Sequence, residues 1–461
     1  MNIVFINPPS PKNRKIIRLI DCSHEAKADY LWQPSDFMAI SSLLSPSDSA
    51  ALVDGTADGL DGKDFFEQLS RLRPDLVFFA LSGVCWESDY QYFLRTRELF
   101  KTAPFYVIGD IFQESEYLSF ILGHCSGVVV NPFLLDMGRM AQAPAARDPH
   151  LPGVRTVPDE KSGEGKQVTF INGNYPRHEL FLKKGYRFPF ARHFRFSTVT
   201  TMWGCPFACF YCPDSQFSPI VRAYRDVLRE LEYLNTLGIQ ELFFGDKTFG
   251  YPQENAHALL REMVERFRFS WTCYMHPQLY EPKLLELMKL AGCHTIITGI
   301  DSADVASLEK YGRRVEKEKI ERLVYHADRL RMSVCGDFII GLEHEREEDI
   351  LNTIRYALQL PLDFASFNIA APLPGSSIRQ KASASGRMVF GREGYDTLTH
   401  RGDLGINGLG YDEIRRLRNK AVRSFYLRPS YLMRRLKKTT SAEHFLIQLR
   451  QMLVMFRKIW R

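Results

Sequence analysis

Short apolar runs alternate with amphipathic stretches along residues 1–131. The alternation predicts an α/β fold with a parallel, doubly wound sheet and helices on both faces. The strand-like runs are residues 3–6, 51–53, 76–81, 105–108 and 127–130, and residues 64–72 and 90–100 have helical spacing. Sheets of this kind bind ligands in the loops at the carboxyl ends of their strands. Those loops contain Asn7, Pro8, Ser82, Gly83, Gly109 and Asp110.

A second strand and helix rhythm follows a stretch at 140–166 that is rich in Ala, Pro, Gly and charge. Its strand candidates are 195–200, 241–245, 270–274, 294–299, 333–341 and 364–370, and its helix candidates are 221–237, 253–267, 282–291, 316–330 and 347–358. Six strands with a helix after each of the first five predict a partial (βα)6 barrel, with its chemistry in the loops after the strands. The expected division is a Rossmann-like domain at 1–138, a linker at 139–190, a TIM-like partial barrel at 191–385 and a helical basic region at 386–461.

The composition is that of a globular protein large enough for two or three domains, with 461 residues, 45% hydrophobic and 25% charged. The first residues lack the basic region of a signal peptide, and no apolar stretch approaches the ~18–20 residues of a membrane span, so a cytoplasmic location is expected. Nine scattered cysteines argue against a disulfide framework. Six of them are isolated and are interpreted as buried small hydrophobes: Cys22, Cys85, Cys125, Cys273, Cys293 and Cys335.

The formal net charge of +6 is unevenly distributed, because residues 411–461 hold fourteen Lys or Arg and only three acidic residues. With aromatic residues between them, these cations could meet an anionic membrane surface, a nucleic acid or solvent. The simplest interpretation is a set of solvated amphipathic helices packed on the second domain.

The loop after the first barrel strand carries Cys205, Cys209 and Cys212. Three thiolates within eight residues can wrap one 4Fe-4S cubane, and three ligands leave the fourth iron open. An open iron can take the amine and carboxylate of S-adenosylmethionine (SAM) and deliver an electron to its sulfonium, which gives a 5′-deoxyadenosyl radical. A zinc site is the alternative, but its nearest fourth ligands, Asp214 and His193, complete no familiar spacing.

This loop, with Tyr211 before the third cysteine, resembles the signature of the radical SAM superfamily, and the resemblance extends over residues 194–371. It implies a SAM-binding role for Tyr211. The resemblance also places Gly245 and Asp246, after the second strand, at the methionine amino group. It places Asp301 and Ser302 near the ribose, with Asp where the family has Glu. Residues 338–342 and 347–349 resemble the segment that packs near adenine.

The N-terminal region, with Asn7-Pro8-Pro9 after its first strand, is similar to the cobalamin-binding members of the superfamily. Residues 424–431 resemble the branch that includes hopanoid methylases and the bacteriochlorophyll cyclase. The resemblance implies cobalamin as a third cofactor, held by the loop residues named above for this domain. Residues 109–112 and 130–133 depart from the family pattern, and there is no Asp-x-His-x-x-Gly run, which suits a base-off cofactor. A degenerate, purely structural domain is the alternative.

The function expected from the resemblance is cobalamin-dependent methylation of a carbon on a lipid, tetrapyrrole or other natural-product scaffold. A radical cyclase or rearrangement enzyme of the same branch is the second possibility, and a binding or scaffold protein with a structural cluster is the third. An RNA methylthiotransferase is disfavoured, because it would carry a second cysteine set and a small C-terminal barrel, whereas this tail has helical patterns.

Expected partners are a small-molecule or lipid-like substrate, an electron donor such as flavodoxin or ferredoxin, and peripheral contact of the basic tail with a membrane. No nucleic acid is expected. Three histidines are candidate proton donors or ligands, namely His24, His276 and His344. His276 is the best placed of them, because it follows the third barrel strand and would face the mouth of the barrel.

Overall fold

The computed structural model describes residues 1–18, 30–142, 151–157, 174–183, 185–384 and 409–459. These residues divide into two compact units, the first ending at Arg187 and the second beginning at Phe188. The bounds expected from the sequence for the individual domains remain predictions.

The first unit contains one six-stranded sheet. Its strands are β1 (Asn2–Asn7), β2 (Ser49–Asp54), β3 (Leu76–Ala80), β4 (Phe105–Ile108), β5 (Gly127–Val129) and β6 (Val154–Arg155). They are ordered β2-β1-β3-β4-β5-β6; the first five are parallel, and β6 is antiparallel to β5. This confirms the doubly wound prediction. The order reverses between β1 and β3, which is where such sheets form their ligand crevice.

Helices cover both faces of this sheet. They are α1 (Ser35–Ser41), α2 (Gly62–Ser70), α3 (Trp86–Leu99), α4 (Ser115–Leu122) and α5 (Met137–Gln142). Because side chains alternate along a strand, adjacent Phe78 and Phe79 of β3 lie in two different hydrophobic cores. The sequence pattern identified α2 and α3 but not the shorter α1, α4 and α5.

Part of the segment expected to be a linker packs on this sheet. It supplies β6, and the side chains of Leu151, Val154 and Phe181 are buried in the core that contains Phe78. Tyr186 is also buried and donates a hydrogen bond to Asp54 (2.7 Å). The Ala, Pro and Gly content of the region predicted an irregular backbone. A few buried apolar side chains are nevertheless enough to anchor such a segment to the sheet.

The second unit contains six parallel strands. They are β7 (Phe196–Val199), β10 (Glu241–Phe244), β11 (Ser270–Tyr274), β12 (Cys293–Asp301), β13 (Ser333–Ile340) and β14 (Phe364–Ile369). Their order in the sheet is β14-β13-β12-β11-β10-β7. A short antiparallel pair, β8 (Met202–Trp203) and β9 (Ile220–Val221), lies between β7 and β10 along the chain. Since β7 and β14 form the two edges, the sheet is the partial barrel that the sequence predicts.

Helices connect the barrel strands. They are α6 (Tyr224–Thr236), α7 (Gln253–Arg266), α8 (Pro282–Leu290), α9 (Val305–Glu309), α10 (Lys317–Arg329), α11 (Glu347–Gln359) and, after β14, α12 (Ser377–Ala384). The amphipathic pattern follows from this position, because one side of each helix faces the sheet and the other faces solvent.

The basic C-terminal region is helical over its described residues, with α13 (Tyr411–Tyr426), α14 (Pro429–Lys437) and α15 (Ala442–Ile459). It packs on the barrel, where the Tyr426 hydroxyl donates to Ala365 O (2.8 Å) and Phe425 is fully buried. Arg434 and Lys438 pair with buried Asp363 at the start of β14. The prediction of amphipathic helices packed on the second domain is therefore confirmed for α13 and α14. Among the described helices, none is long and apolar enough to cross a membrane.

Candidate cofactor site

The cysteine loop is closed at its base by the β8 and β9 ladder. In this ladder Trp203 pairs with Ile220. Two residues after Trp203, the backbone N–H of Cys205 donates to Phe217 O (3.3 Å). Within the loop the N–H of Cys212 donates to Cys209 O (3.0 Å). None of the three loop cysteines is in a disulfide; Cys209 is buried, and Cys205 and Cys212 are half-buried. The ladder thus presents three thiols on one short, hydrogen-bonded loop at the carboxyl end of β7.

Gly204, just before the first cysteine, has a conformation that only glycine adopts easily. Its φ is +75°, and a Cβ atom there would lie 2.7 Å from both Phe217 O and Ser218 O. Such a side chain would force the two arms of the loop apart, in addition to the cost of about 1–2 kcal/mol for a left-handed residue.

Replacing Gly204 with Ala is therefore expected to lower the amount of cluster retained after anaerobic reconstitution, measured as iron and sulfide per chain. Gly238→Ala is the matched control, because Gly238 has a similar φ of +68° but no atom within 4 Å of the added Cβ. The control adds backbone strain without a clash, so it should retain the cluster. Equal iron contents in the two variants would show that the close approach at Gly204 is unimportant.

Asp246 holds the start of the cysteine loop. Its fully buried carboxylate accepts from Thr201 N (2.6 Å), Thr201 Oγ1 (2.6 Å) and Met202 N (2.9 Å). Burial raises the pKa of Asp246 to about 6, although these donors oppose the shift. The resemblance implied an acceptor for the methionine amine; here Oδ1 accepts the two N–H groups and Oδ2 accepts the Thr201 hydroxyl. Gly245 packs closely on β7, because a Cβ there would lie 2.9 Å from Thr198 Cγ2.

The side chains of Tyr211 and Asp301 contact each other at the cysteine loop. The sequence could not show this contact. The Tyr211 hydroxyl donates to Asp301 Oδ2 (2.9 Å), and burial, together with the Asp301 charge, raises the pKa of Tyr211 well above its usual value. Arg313 Nε lies 2.8 Å from the same Asp301 oxygen, and Arg313 Nη1 lies 3.9 Å from Cys209 Sγ. Asp301 has a φ of +63°, which is strained for a residue with a side chain. Sequence reasoning missed Arg313, which stands in no motif.

Ser302 joins the ends of β12 and β13 through Glu345. The Ser302 hydroxyl lies 3.4 Å from Glu345 Oε1, and Glu345 Oε2 accepts from the N–H groups of Gly341 (2.7 Å) and Leu342 (3.0 Å). Burial raises the pKa of Glu345 to about 7, against those two donors. Glu345 was not singled out by the sequence, although it lies between the two segments, 338–342 and 347–349, that were.

The raised pKa of Glu345 predicts a pH dependence of stability. The folded chain holds this proton more tightly than the unfolded chain, whose pKa is near 4.5. The contribution is therefore fully present below about pH 4.5 and is lost as the pH rises to about 7. Denaturant unfolding should show that Glu345→Gln gains stability relative to the wild type over this range. Exposed Glu348→Gln should show no such trend, and a flat difference for Glu345→Gln would contradict the prediction.

His276 lies beside the cysteine loop, at the carboxyl end of β11. Its ring stacks on Phe207 (centroids 3.7 Å apart), and it is only 6% exposed. Nδ1 accepts from Gln278 N (3.1 Å), which leaves the proton on Nε2, and Nε2 has no hydrogen-bond partner among the described residues. Burial, with a smaller effect from Arg313, lowers the pKa of His276 to about 2. The side chain is thus a neutral ring with a buried Nε2–H that has no acceptor among the described residues.

The other candidate residues are explained by local contacts. His344 Nδ1 lies 3.0 Å from the Tyr311 hydroxyl, and His193 pairs with Glu443 (3.1 Å). Asp214 Oδ2 lies 3.7 Å from Cys212 Sγ and 3.5 Å from Lys247 Nζ. His24 and Cys22 lie outside the described residues.

The donor set fits a cubane better than a single ion. No group of three or more His, Cys, Asp or Glu in the described part of the chain could hold one metal ion, which counts against the zinc alternative. A cubane is larger, and each cysteine binds a different iron, so its thiolates line a cavity instead of converging on one point. Three cysteines on one loop suit that requirement.

The carboxyl edge of the first unit's sheet holds a buried polar network centred on Arg18. This side chain forms two 2.8 Å contacts with Asp89 and donates to Thr56 Oγ1 (2.8 Å) and Asn7 Oδ1 (3.1 Å). Ser82 also donates to Asp89, from its N–H and its hydroxyl (both 3.1 Å). The Asn7 and Ser82 side chains are therefore tied to the protein at the switch point.

The remaining predicted residues of this edge are mainly backbone positions. Pro8 O accepts from Thr56 Oγ1 (3.1 Å), and the N–H of Gly83 donates to Asp110 Oδ1 (3.4 Å). A Cβ at Gly109 would lie 2.0 Å from Leu81 O, so the chain needs glycine there. The glycines let these loops pack closely on one another, and the described residues of the loops after β1 to β4 contain no histidine.

Comparison with known proteins shows what the chain is similar to. Residues 199–357 match the Radical SAM superfamily model. An uncharacterized methyltransferase of Pyrococcus horikoshii is 33% identical over 246 residues, which are 52% of this chain and 53% of that protein. A tRNA-2-methylthio-N(6)-dimethylallyladenosine synthase of Chromohalobacter salexigens is 26% identical over 199 residues, 39% of this chain and 43% of that protein. The chain thus spans about half or less of the length of these relatives.

Two solved structures share the fold over most of the chain. The radical SAM methyltransferase TsrM from Kitasatospora setae, with cobalamin and a [4Fe-4S] cluster bound, has a TM-score of 0.64 at 17% identity, covering 85% of this chain and 79% of TsrM. The cobalamin-dependent SAM radical enzyme OxsB, with aqua-cobalamin and SAM bound, has a TM-score of 0.62 at 15% identity, covering 99% and 72%. Residues 199–357 thus match the radical SAM superfamily model, and the chain shares the fold of these two cobalamin-dependent radical SAM enzymes over most of its length.

Proposed function

We propose that this protein is a radical SAM enzyme whose cluster is held by Cys205, Cys209 and Cys212. The observation that carries the proposal is the loop itself, which presents these three cysteines at the carboxyl end of the first barrel strand. When bound, the cluster would supply the electron that cleaves SAM at its sulfonium and so provides a radical for hydrogen abstraction.

In this proposal the chain's own residues position the cluster and SAM. Asp246 and Gly204 fix the entry of the loop. Tyr211 and Asp301 support it from below, and the Ser302 and Glu345 contact holds the neighbouring strand ends together. The neutral His276 ring packs on Phe207 of the loop. The protein binds and orients the reactants, and the cofactors carry the difficult chemistry.

The reaction that we propose is cobalamin-dependent methylation of a carbon, with cobalamin at the carboxyl edge of the first unit's sheet. Support comes from the order reversal between β1 and β3, from the fold shared with TsrM and OxsB, and from the methyltransferase name of the Pyrococcus relative. The substrate class that we propose is a lipid, tetrapyrrole or other natural-product scaffold, with an electron donor of the flavodoxin or ferredoxin type.

Methylthiolation of RNA is less well supported, although tRNA-modifying synthases are among the relatives. The described residues 409–459 form three helices and no strand. Cys85 is buried and packs with Ile16 and Val84 in a small hydrophobic cluster, which is typical of a structural cysteine and not of a cluster ligand.

The test is anaerobic reconstitution with iron and sulfide, followed by optical spectra with and without cobalamin and by mass analysis of products from candidate substrates. We expect a bound-cobalamin spectrum, a gain of one methyl group, and two SAM molecules consumed for each methyl transferred. Retention of the cluster without cobalamin binding, and a product without an added methyl, would instead indicate a cyclase or rearrangement enzyme. A chain that binds no cluster would refute the enzyme proposal.

We also propose that the C-terminal helices touch an anionic membrane surface. Large apolar side chains are exposed on α14 and α15, among them Met433, Leu436, Leu446 and Leu453. They lie in the segment with the excess of Lys and Arg, which complements anionic headgroups. Co-sedimentation should occur with vesicles containing phosphatidylserine and not with neutral ones, and should weaken in Leu436→Glu. Equal partition with both vesicle types would contradict it.

A further inference from the structure

A buried ion pair lies against the central cysteine of the loop. Arg313 and Asp301 are each 6% exposed, with Nε 2.8 Å from Oδ2. The Arg313 Nη1 atom lies 3.9 Å from Cys209 Sγ, close enough for a weak N–H to sulfur contact. The Nε N–H is not directed at the carboxylate as a hydrogen bond, so this pair interacts mainly through its charges.

Backbone contacts keep Arg313 in register with the cysteine loop. The N–H of Phe210 donates to Tyr311 O (2.7 Å), and Arg313 Nη2 donates to Gly299 O. Gly312 has a φ of +69°, and a Cβ there would lie 2.4 Å from Ala208 O, so residues 311–313 pass directly beneath the loop. The guanidinium is thus held at a defined place beside Cys209.

The charges of such a pair act strongly on a nearby redox centre. Reduction adds one electron to a cluster, so a cation at its ligand favours the reduced form and an anion favours the oxidised form. Buried charges are screened little by salt. Since Arg313 is adjacent to the sulfur and Asp301 lies behind it, the two residues have opposite effects that partly cancel.

We propose that the Arg313–Asp301 pair sets the reduction potential of the cluster, with Arg313 raising it and Asp301 lowering it. The inference rests on the proposed function, because it requires a cluster on these cysteines. The step concerned is a one-electron reduction by an external donor, with dithionite in the experiment, and no bond is made or broken. Both residues are positioning residues, since they act through the Cys209 thiolate.

The test is a potentiometric titration of the reconstituted full chain without SAM, followed by electron paramagnetic resonance. At the wild-type midpoint, the ratio of reduced to oxidised cluster is expected to fall about tenfold in Arg313→Gln and to rise about tenfold in Asp301→Asn. The double variant should return towards the wild type. Arg434→Gln is the control, because that arginine pairs with Asp363 at the start of β14, and it should cause no shift.

The outcomes separate the two proposals. A wild-type chain that binds no cluster refutes the proposed function. If the wild type binds a cluster but the reduction potential shifts in the same direction in both single variants, or in neither, the inference is overturned. A purely structural pair would alter the cluster content without opposite changes of the potential. If Arg313→Gln retains too little cluster to titrate, Asp301→Asn and the charge-conserving Arg313→Lys still decide the question. The reduction potential of Arg313→Lys should stay near that of the wild type. If Arg313→Lys instead has a potential as low as that expected for Arg313→Gln, the result counts against the charge effect.

Discussion

Replacing Cys209 with Ala is expected to reduce both cluster content and formation of 5′-deoxyadenosine to the background of the assays. Cys209 is the central cysteine of the loop and the buried one, and without its thiolate one iron of the cubane has no protein ligand. No substitute ligand is at hand, because no group of three or more His, Cys, Asp or Glu in the described residues could hold a metal ion. The measurements are iron and sulfide per chain and reductive cleavage of SAM under anaerobic conditions.

Cys335→Ala is the matched control for this experiment. Cys335 is also buried and outside any disulfide, but it lies inside β13, away from the cysteine loop along the chain. Its substitution removes one small buried side chain, so cluster content and SAM cleavage should stay close to those of the wild type. Full iron and sulfide content in Cys209→Ala would contradict the three-cysteine assignment. It would also remove the basis for proposing that the chain is an enzyme.

Replacing Asp89 with Ala is expected to destabilise the first unit by about 3–5 kcal/mol, because Arg18 would remain buried without its counter-ion. The side chains of Arg18 and Asp89 are 1% and 0% exposed. The substitution also removes the acceptor for the Ser82 N–H and hydroxyl, which are buried. Chemical denaturation of the full chain should show the loss as an earlier transition.

Two further variants make this stability prediction specific. Glu67→Ala removes the partner of Arg71 in an exposed pair with side chains 71% and 53% exposed, and should change stability by less than about 1 kcal/mol. Replacing both Arg18 and Asp89 with apolar residues of similar size should cost less than Asp89→Ala alone, because no unpaired buried charge remains. If Asp89→Ala unfolds like Glu67→Ala, the network does not support the sheet edge as described.

The Arg18 network also bears on the cobalamin proposal. Asn7 and Ser82 were expected to contact the cofactor, and the structure engages their side chains with Arg18 and Asp89. Any cobalamin contact from these positions would therefore come mainly from backbone atoms. Cobalamin spectra of Asp89→Ala, measured where it remains folded, would show whether the network supports that surface.

Much of the architecture was determined by the sequence alone. Short continuous apolar runs and amphipathic stretches are local signals, and they predicted the parallel strands of both units and the principal helices between them. The three cysteines are also local, because eight residues contain the whole motif. The smaller elements were not predicted because they are too short to give a local signal. The helices α1 and α5 are too short to show a period, and β6 has only two residues.

The surroundings of the cysteine loop were decided only by the tertiary structure. Arg313 is 104 residues from Cys209, and Tyr211 is 90 from Asp301. In the first unit, Arg18 is likewise 71 residues from Asp89. No period or spacing along the chain connects such partners, because they meet only when parallel strands bring their carboxyl ends to one edge. The sequence by itself thus determined the cluster motif and the class of fold. The fold determined which buried charges surround the motif, since desolvated charges are stable only where folding supplies their partners.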